Sequence, residues 1–207
     1  MDGLMLAAFA RSTARYDRAL RCSGACLCLT LVLMLAVCAP PTSASGATTA
    51  FTIVTRDYHV SRIGPFQPAR DPRLSAAIRA FGRPSSHKLD RSTCRVEWRR
   101  LRLRITFENF GGVLPGQTTC TPSVGRAQGF VARSSRFRTV RHLRVGQPSS
   151  SIPIKHPNAE FQPEGFWALV LATFPFGDNE EPAPVLNALV TGGRVIALAG
   201  YIGGAGE

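Results

Sequence analysis

Between Cys94 and Phe107 the chain reads Cys-Arg-Val-Glu-Trp-Arg-Arg-Leu-Arg-Leu-Arg-Ile-Thr-Phe, with apolar and polar residues in alternation. Cys94, Val96 and Trp98 share one parity; Leu101, Leu103, Ile105 and Phe107 share the other. Successive side chains of a pleated strand point to opposite faces, so each set fits one face. The phase reverses at Arg99-Arg100. In a single strand that reversal would turn one whole apolar set to solvent. The stretch therefore predicts two strands, 94–98 and 101–108, joined by a tight hairpin or a bulge. Arg95, Glu97 and Arg99, then Arg100, Arg102 and Arg104, are expected to face outward.

The chain has 207 residues. Arg11, Arg15, Arg18 and Arg21 precede an uncharged apolar run from Ala25 to Ala39, then Pro40-Pro41 and a tract of small residues. A basic start, a short apolar run and a small-residue exit read as a secretory signal over 1–45, with cleavage between Ser45 and Ala50. The run is shorter than the roughly 20 residues a bilayer span needs, so contact with a membrane is expected only through an uncleaved signal acting as an anchor. Residues 46–207 are read as one secreted domain. Removal of the signal takes Cys22, Cys26, Cys28 and Cys38 with it and leaves Cys94 and Cys120. Two cysteines in an oxidising compartment predict a disulfide, which stabilises by about 3 kcal/mol in the chain-entropy account.

The charge is uneven. From Gly46 onward there are 21 Lys and Arg against 11 Asp and Glu. Residues 46–144 carry a net +14 and residues 145–207 a net −4. Only Lys88 and Lys155 of the 21 are lysine, a tilt that fits either anion recognition or a GC-rich genome.

In chain order, Ala50 to Val60 reads as an opening strand and Arg62 to Arg70 as a linker. Asp71 to Gly82 is the best helix: Asp71 as N-cap, Pro72 in the first turn, Gly82 as stop, and Leu74, Ala77, Ile78 and Phe81 as one apolar stripe. Arg83 to Arg91 reads as a polar loop and 111–122 as a turn-rich loop. Gln128 to Val131 and Phe137 to Val140 read as short strands. Leu143 to Pro157 reads as a short strand and then a poor helix, with Pro153 tolerated only in its first turn. Phe166 to Phe174 reads as a central strand and Pro175 to Pro184 as an acidic loop. Val185–Val190 and Val195–Ile202 form a hairpin across Gly192-Gly193. The fold class is α+β: a mostly antiparallel sheet with one or two short helices packed on it and one disulfide.

Two halves can be laid side by side. Leu74 to Pro84, ending in Gly82-Arg-Pro84, precedes the Trp98 strand and the 101–108 strand; Leu143 to Pro157 precedes the Trp167 strand and the closing hairpin with Gly193-Arg-Val195. Over 71–202 this resembles the tandem helix-then-antiparallel-sheet layout of the β-lactamase inhibitor proteins and the small outer-membrane assembly lipoproteins. The overall look is also similar to uncharacterised secreted proteins of actinobacteria. The resemblance implies two tandem helix–sheet halves and names no target.

Sequence motifs point to no catalytic residues, metal ligands or cofactor. His59, His87, His142 and His156 are not at metal-ligand spacing and read as surface or strand-edge residues. Asp178-Asn-Glu-Glu181 reads as a solvated acidic loop, and Glu97 and Glu108 as ion-pair partners. One feature points to recognition. Arg95, Arg99, Arg100, Arg102 and Arg104, with Arg133, Arg136, Arg138, Arg141 and Arg144, can gather on one sheet face, and guanidinium forks suit carboxylate and phosphate. The anion-binding candidates are Arg95, Arg99, Arg100, Arg102, Arg104, Arg136 and Arg138. Aromatic interleaving is absent there, so nucleic acid is not the expected partner. The expected function is a non-catalytic extracytoplasmic binding domain for an unknown protein. The alternatives are an anionic cell-envelope polymer as the ligand, or a small secreted hydrolase with a site scattered in sequence.

Overall fold

The reversal at Arg99-Arg100 is a hairpin. Strand β4 (Thr93–Trp98) and strand β5 (Leu103–Glu108) pair antiparallel with Trp98 opposite Leu103. A 3-10 turn, Arg99–Leu101, joins them, and Arg102 takes a left-handed conformation at φ 51°. Cys94, Val96, Trp98, Leu103, Ile105 and Phe107 are all buried, as the parity requires. Leu101 and Arg102 belong to the turn rather than to β5.

The computed structural model describes residues 49–109, 111, 114–176 and 179–203. The segment 1–45 expected to be a signal, Asp178 in the acidic stretch and the last four residues lie outside them. The remaining strands are β1 (Phe51–Arg56), β2 (His59–Ile63), β3 (Ser86–Asp90), β6 (Arg126–Ala132), β7 (Phe137–Thr139), β8 (Glu160–Phe161), β9 (Phe166–Phe176), β10 (Asn179–Thr191) and β11 (Arg194–Tyr201). The helices are α1 (Leu74–Phe81) and α2 (Ser151–Lys155). Eight strands make one antiparallel sheet in the order β3-β4-β5-β6-β11-β10-β9-β8. Three make a second, β2-β1-β7, in which β1 and β7 run parallel. The fold is α+β with far more sheet than helix.

The core lies on the inner face of the large sheet. One row across it is Trp98, Leu103, Ala132, Leu198, Ala188 and Trp167. The next is Val96, Ile105, Phe130, Gly200 and Leu186. Rings connect this face to the second sheet. Phe81, the last residue of α1, meets Trp98, Phe66 and Phe51 edge-on at centroid distances of 5.5, 6.1 and 6.1 Å, and Phe51 continues to Phe137 at 5.2 Å. Trp98 Nε1 donates to the Gly82 carbonyl at 2.8 Å, which holds the helix exit against β4. Gly82 stops the helix as expected, at φ 81°. The Cys94–Cys120 disulfide ties the loop before β6 to this core.

Several expectations are corrected. The helix begins at Leu74, not at Asp71, because Arg73 is extended and bridges Arg126 of β6. The Asp71 carboxylate binds Arg73 and Arg79 instead of capping, and Arg73 holds its pKa below the usual carboxylate range. The opening segment is a two-strand hairpin, β1–β2, turned by Asp57 at φ 51°. The polar stretch 83–91 contains β3, an edge strand with Lys88, Leu89 and Asp90 exposed on both sides. Strand β9 is next to the edge rather than central, since only the two-residue β8 lies beyond it.

Residues 175–176 and 179–184 of the acidic stretch are not a loop but belong to β9 and β10, which pair there as a two-stranded ribbon. Pro182 pairs with Thr173, Pro184 with Leu171 and Pro175 with Glu180. A proline cannot donate to a ladder, so all three pairs are of the non-hydrogen-bonded kind. Each proline nitrogen thus faces away from its partner strand. On the β10 side nothing needs a donor, because β11 pairs only from Leu186 onward.

Phe81→Ala should cost about 3 kcal/mol, since it removes the ring on which Trp98, Phe66 and Phe51 converge. A urea titration should show a lower midpoint with an unchanged slope. Replacing Cys94 and Cys120 together with alanine should cost about 3 kcal/mol, read calorimetrically as a thermal midpoint lower by roughly 10 °C.

Candidate functional site

The other face of the large sheet carries the opposite parity. Its middle row runs Ala168, Asn187, Ala199, Val131, Arg104 and Glu97. On one side of it lie Phe166, Leu189 and Ala197; on the other Tyr201, Gly129, Thr106, Arg95 and Lys88. On this face Ala168 and Ala197 are buried, Asn187, Ala199 and Val131 half-buried, and Arg95, Lys88 and Tyr201 exposed toward the rim.

At the β4–β5 end this face opens into a cleft of about 210 Å³ lined by Glu97, Arg99, Arg102, Arg104, Val131 and Arg133, among others. Its spacing is set by backbone: Arg102 N–H donates to Arg99 O at 3.0 Å, and Arg133 N–H donates to Arg102 O at 2.9 Å. The turn and the end of β6 therefore bring their arginines to the same place. Arg104 grips Glu97 with Nε at 2.9 Å and Nη2 at 2.7 Å from Oε1. Among the described residues no carboxylate lies within ion-pair distance of Arg99, Arg102 or Arg133. Three guanidinium groups without a counter-charge among the described residues and one held by a glutamate form an electropositive cleft whose chemistry is suited to a carboxylate or phosphate group.

The expected arginines divide. Arg95, Arg99, Arg102 and Arg104 reach this face or its cleft, and Arg100 is exposed on the adjoining turn. Arg136 and Arg138 do not join them. Arg138 lies on β7 in the second sheet, where its Nε is 3.4 Å from Thr52 Oγ1, and the Arg136 carbonyl accepts from Phe51 N–H. The parallel pairing of β1 with β7, between segments 86 residues apart at Thr52 and Arg138, is what separates the two groups.

His156 also departs from expectation: it is 4% exposed rather than on the surface. Its backbone N–H closes α2 on Ile152 O at 2.7 Å, and the ring turns inward to place Nε2 2.9 Å from Thr139 Oγ1. The Thr139 oxygen accepts from Leu143 N–H, so its own hydrogen is free to be given to the imidazole. A hydrogen bond with the Leu169 backbone engages the ring as well. Burial, reinforced by the positive charge of Arg141, lowers the pKa to about 4. Nothing in the local sequence distinguishes this histidine from the others; only its place after a one-turn helix does. It borders a cavity of about 460 Å³ that also contacts Thr55, Arg141, Asn158 and Glu160.

Among the described residues no group of three His, Cys, Asp or Glu is placed to hold a metal. No helix among them is long and apolar enough to cross a membrane.

Unfolded, the His156 imidazole protonates near 6.5; folded, only near 4. Between those values the unfolded chain binds the extra proton. The stabilisation is complete above pH 6.5, is lost as the pH falls to about 4, and totals about 3 kcal/mol. Denaturation of wild type and His156→Gln across this range should show the slope in wild type and a shallower one in the variant.

No protein-family model matches the chain, and neither does any curated protein or solved structure compared with it.

Proposed function

We propose that this chain is a non-catalytic extracytoplasmic binding domain that presents the outer face of its large sheet to an acidic protein surface. The observation that carries the reading is the cleft where Arg99, Arg102, Arg104 and Arg133 meet with Glu97 as the lone carboxylate among its lining residues. A partner carboxylate seated there would make fork-like, charge-assisted hydrogen bonds. The small residues beside it, Val131, Ala199 and Gly129, leave room for a partner to approach the sheet. The buried disulfide supports an oxidising compartment, and with it secretion through the N-terminal signal.

The order of elements supports the resemblance to tandem helix–sheet proteins. Helix α1 precedes the meander β3-β4-β5-β6, and α2 precedes β8-β9-β10-β11; the two meet between β6 and β11. Each tryptophan lies on the second strand of its meander. Trp98 ends β4 whereas Trp167 lies near the start of β9, so the halves agree in order more than in detail.

A second reading, binding of an anionic envelope polymer, is favoured by the net +14 of residues 46–144. Capture of extracytoplasmic extract on the immobilised chain separates the two. A discrete protein that survives a high-salt wash, and is lost on Arg102→Ala with Arg133→Ala and on Ala199→Trp, is the expected result. The double variant should weaken that binding ~10-fold or more. Retention of salt-labile polymers alone would favour the second reading. Turnover of wall, ester or peptide substrates with nothing retained would favour the hydrolase.

A further inference from the structure

The β9–β10 ribbon carries prolines at 175, 182 and 184, all in the set of positions whose backbone groups turn outward. The pairs of Pro182 with Thr173 and Pro184 with Leu171 are non-hydrogen-bonded, so the N–H and C=O of Thr173 and Leu171 turn away from β10. They face the side where β8 would continue. Yet β8 pairs only Glu160 with Ala168 and Phe161 with Trp167. Pro175, in the same set as Leu171 and Thr173, ends the donors on this edge. Two outward donors and two outward acceptors remain between β8 and Pro175, and among the described residues no strand pairs with them.

Exposed edges are normally protected by charge, proline or a covering segment. The opposite edge of the sheet, β3, carries Lys88 and Asp90 exposed. The ribbon uses its prolines. The stretch at Leu171–Thr173 has neither, and it adjoins the cavity of about 460 Å³, whose walls include Val140, Arg141, Asn158, Glu160 and Leu171. That volume lies within the range of ligand-binding clefts. Arg141 is exposed there, and its Nη1 lies 3.5 Å from the Lys155 carbonyl with no carboxylate at ion-pair distance among the described residues. A main-chain edge with alternating donors and acceptors selects an extended peptide, and the unpaired guanidinium selects a carboxylate on it.

We propose that the β9 edge at Leu171–Thr173 is a strand-addition site for an extended, acidic segment of a partner protein, laid between β9 and Val140–Arg141 with a carboxylate on Arg141. The segment extends the large sheet where β8 stops. The site is separate from the outer-face cleft, so either can fail without the other.

Amide hydrogen exchange on the full chain tests the first half of the proposal. The Leu171 and Thr173 amides should exchange much faster than those of Ala172 and Ala183, which face each other within the ribbon. Equal, strong protection of all four in the free chain would overturn it. Selection of random displayed heptapeptides tests the second half. Enriched peptides should carry Asp or Glu and should slow exchange at Leu171 and Thr173. They should bind Leu171→Pro and Arg141→Glu ~10-fold more weakly or worse. Thr173→Pro, on an exposed position, serves if Leu171→Pro loses its near-ultraviolet circular dichroism. Absence of enrichment, or enriched peptides that bind the proline variants as well as wild type, would overturn the proposal. Arg102→Ala with Arg133→Ala should leave peptide binding unchanged.

Discussion

The inner face of the large sheet carries the core, and what covers that face determines the rest. An eight-residue helix is too short to be stable alone. Here it is held at both ends. Ser75 N–H donates to Pro122 O, the Pro72 carbonyl accepts from Ala127 N–H of β6, and Trp98 holds the Gly82 carbonyl. Between these anchors Phe81 projects into a group of rings drawn from β1, β4 and the turn after β2. Edge-on ring pairs add to simple burial, by about 0.5–1.5 kcal/mol each. The group joins two sheets that share no strand.

The parts of the fold readable from sequence are those where one face is dry and the other wet. The phase reversal at Arg99-Arg100 located a hairpin to within two residues, because burial fixes parity. Gly192 and Gly193 at φ 57° and 70° did the same for β10–β11, since two successive left-handed residues suit a tight hairpin turn. Strand β3 was missed because, at an edge with solvent on both faces, it has no alternation to read. The ribbon was missed because three prolines argue against a strand unless the pairing pattern is known, and the pattern is a property of two segments.

The candidate site was partly readable for a related reason. Strand parity placed Arg95 and Arg104 on the outer face. It had no means of placing Arg136 and Arg138, whose position depends on β7 joining β1 rather than the large sheet. Nor did it distinguish Arg133, which reaches the cleft through a backbone bond to the β4–β5 turn. His156 shows the same limit: its burial is imposed by Thr139 and Leu169, on strands of different sheets. Non-local pairing leaves no periodic trace in any one segment.

Whether the arginines reflect recognition or base composition turns on placement rather than number. A bias in composition raises arginine content at every exposed position alike. It does not select the backbone bonds that bring Arg99, Arg102 and Arg133 to one cleft. Like charges held together in this way repel one another and lower stability, modestly so at a solvated surface. Glu97 offsets part of that cost by holding Arg104 in a fixed fork. One carboxylate among four guanidinium groups orders the cleft without neutralising it. An arrangement aimed only at stability would place a second carboxylate at Val131, which lies opposite Arg104 on the exposed face. The cleft therefore keeps a residual positive charge, which is the basis of the proposal that an anionic partner binds there.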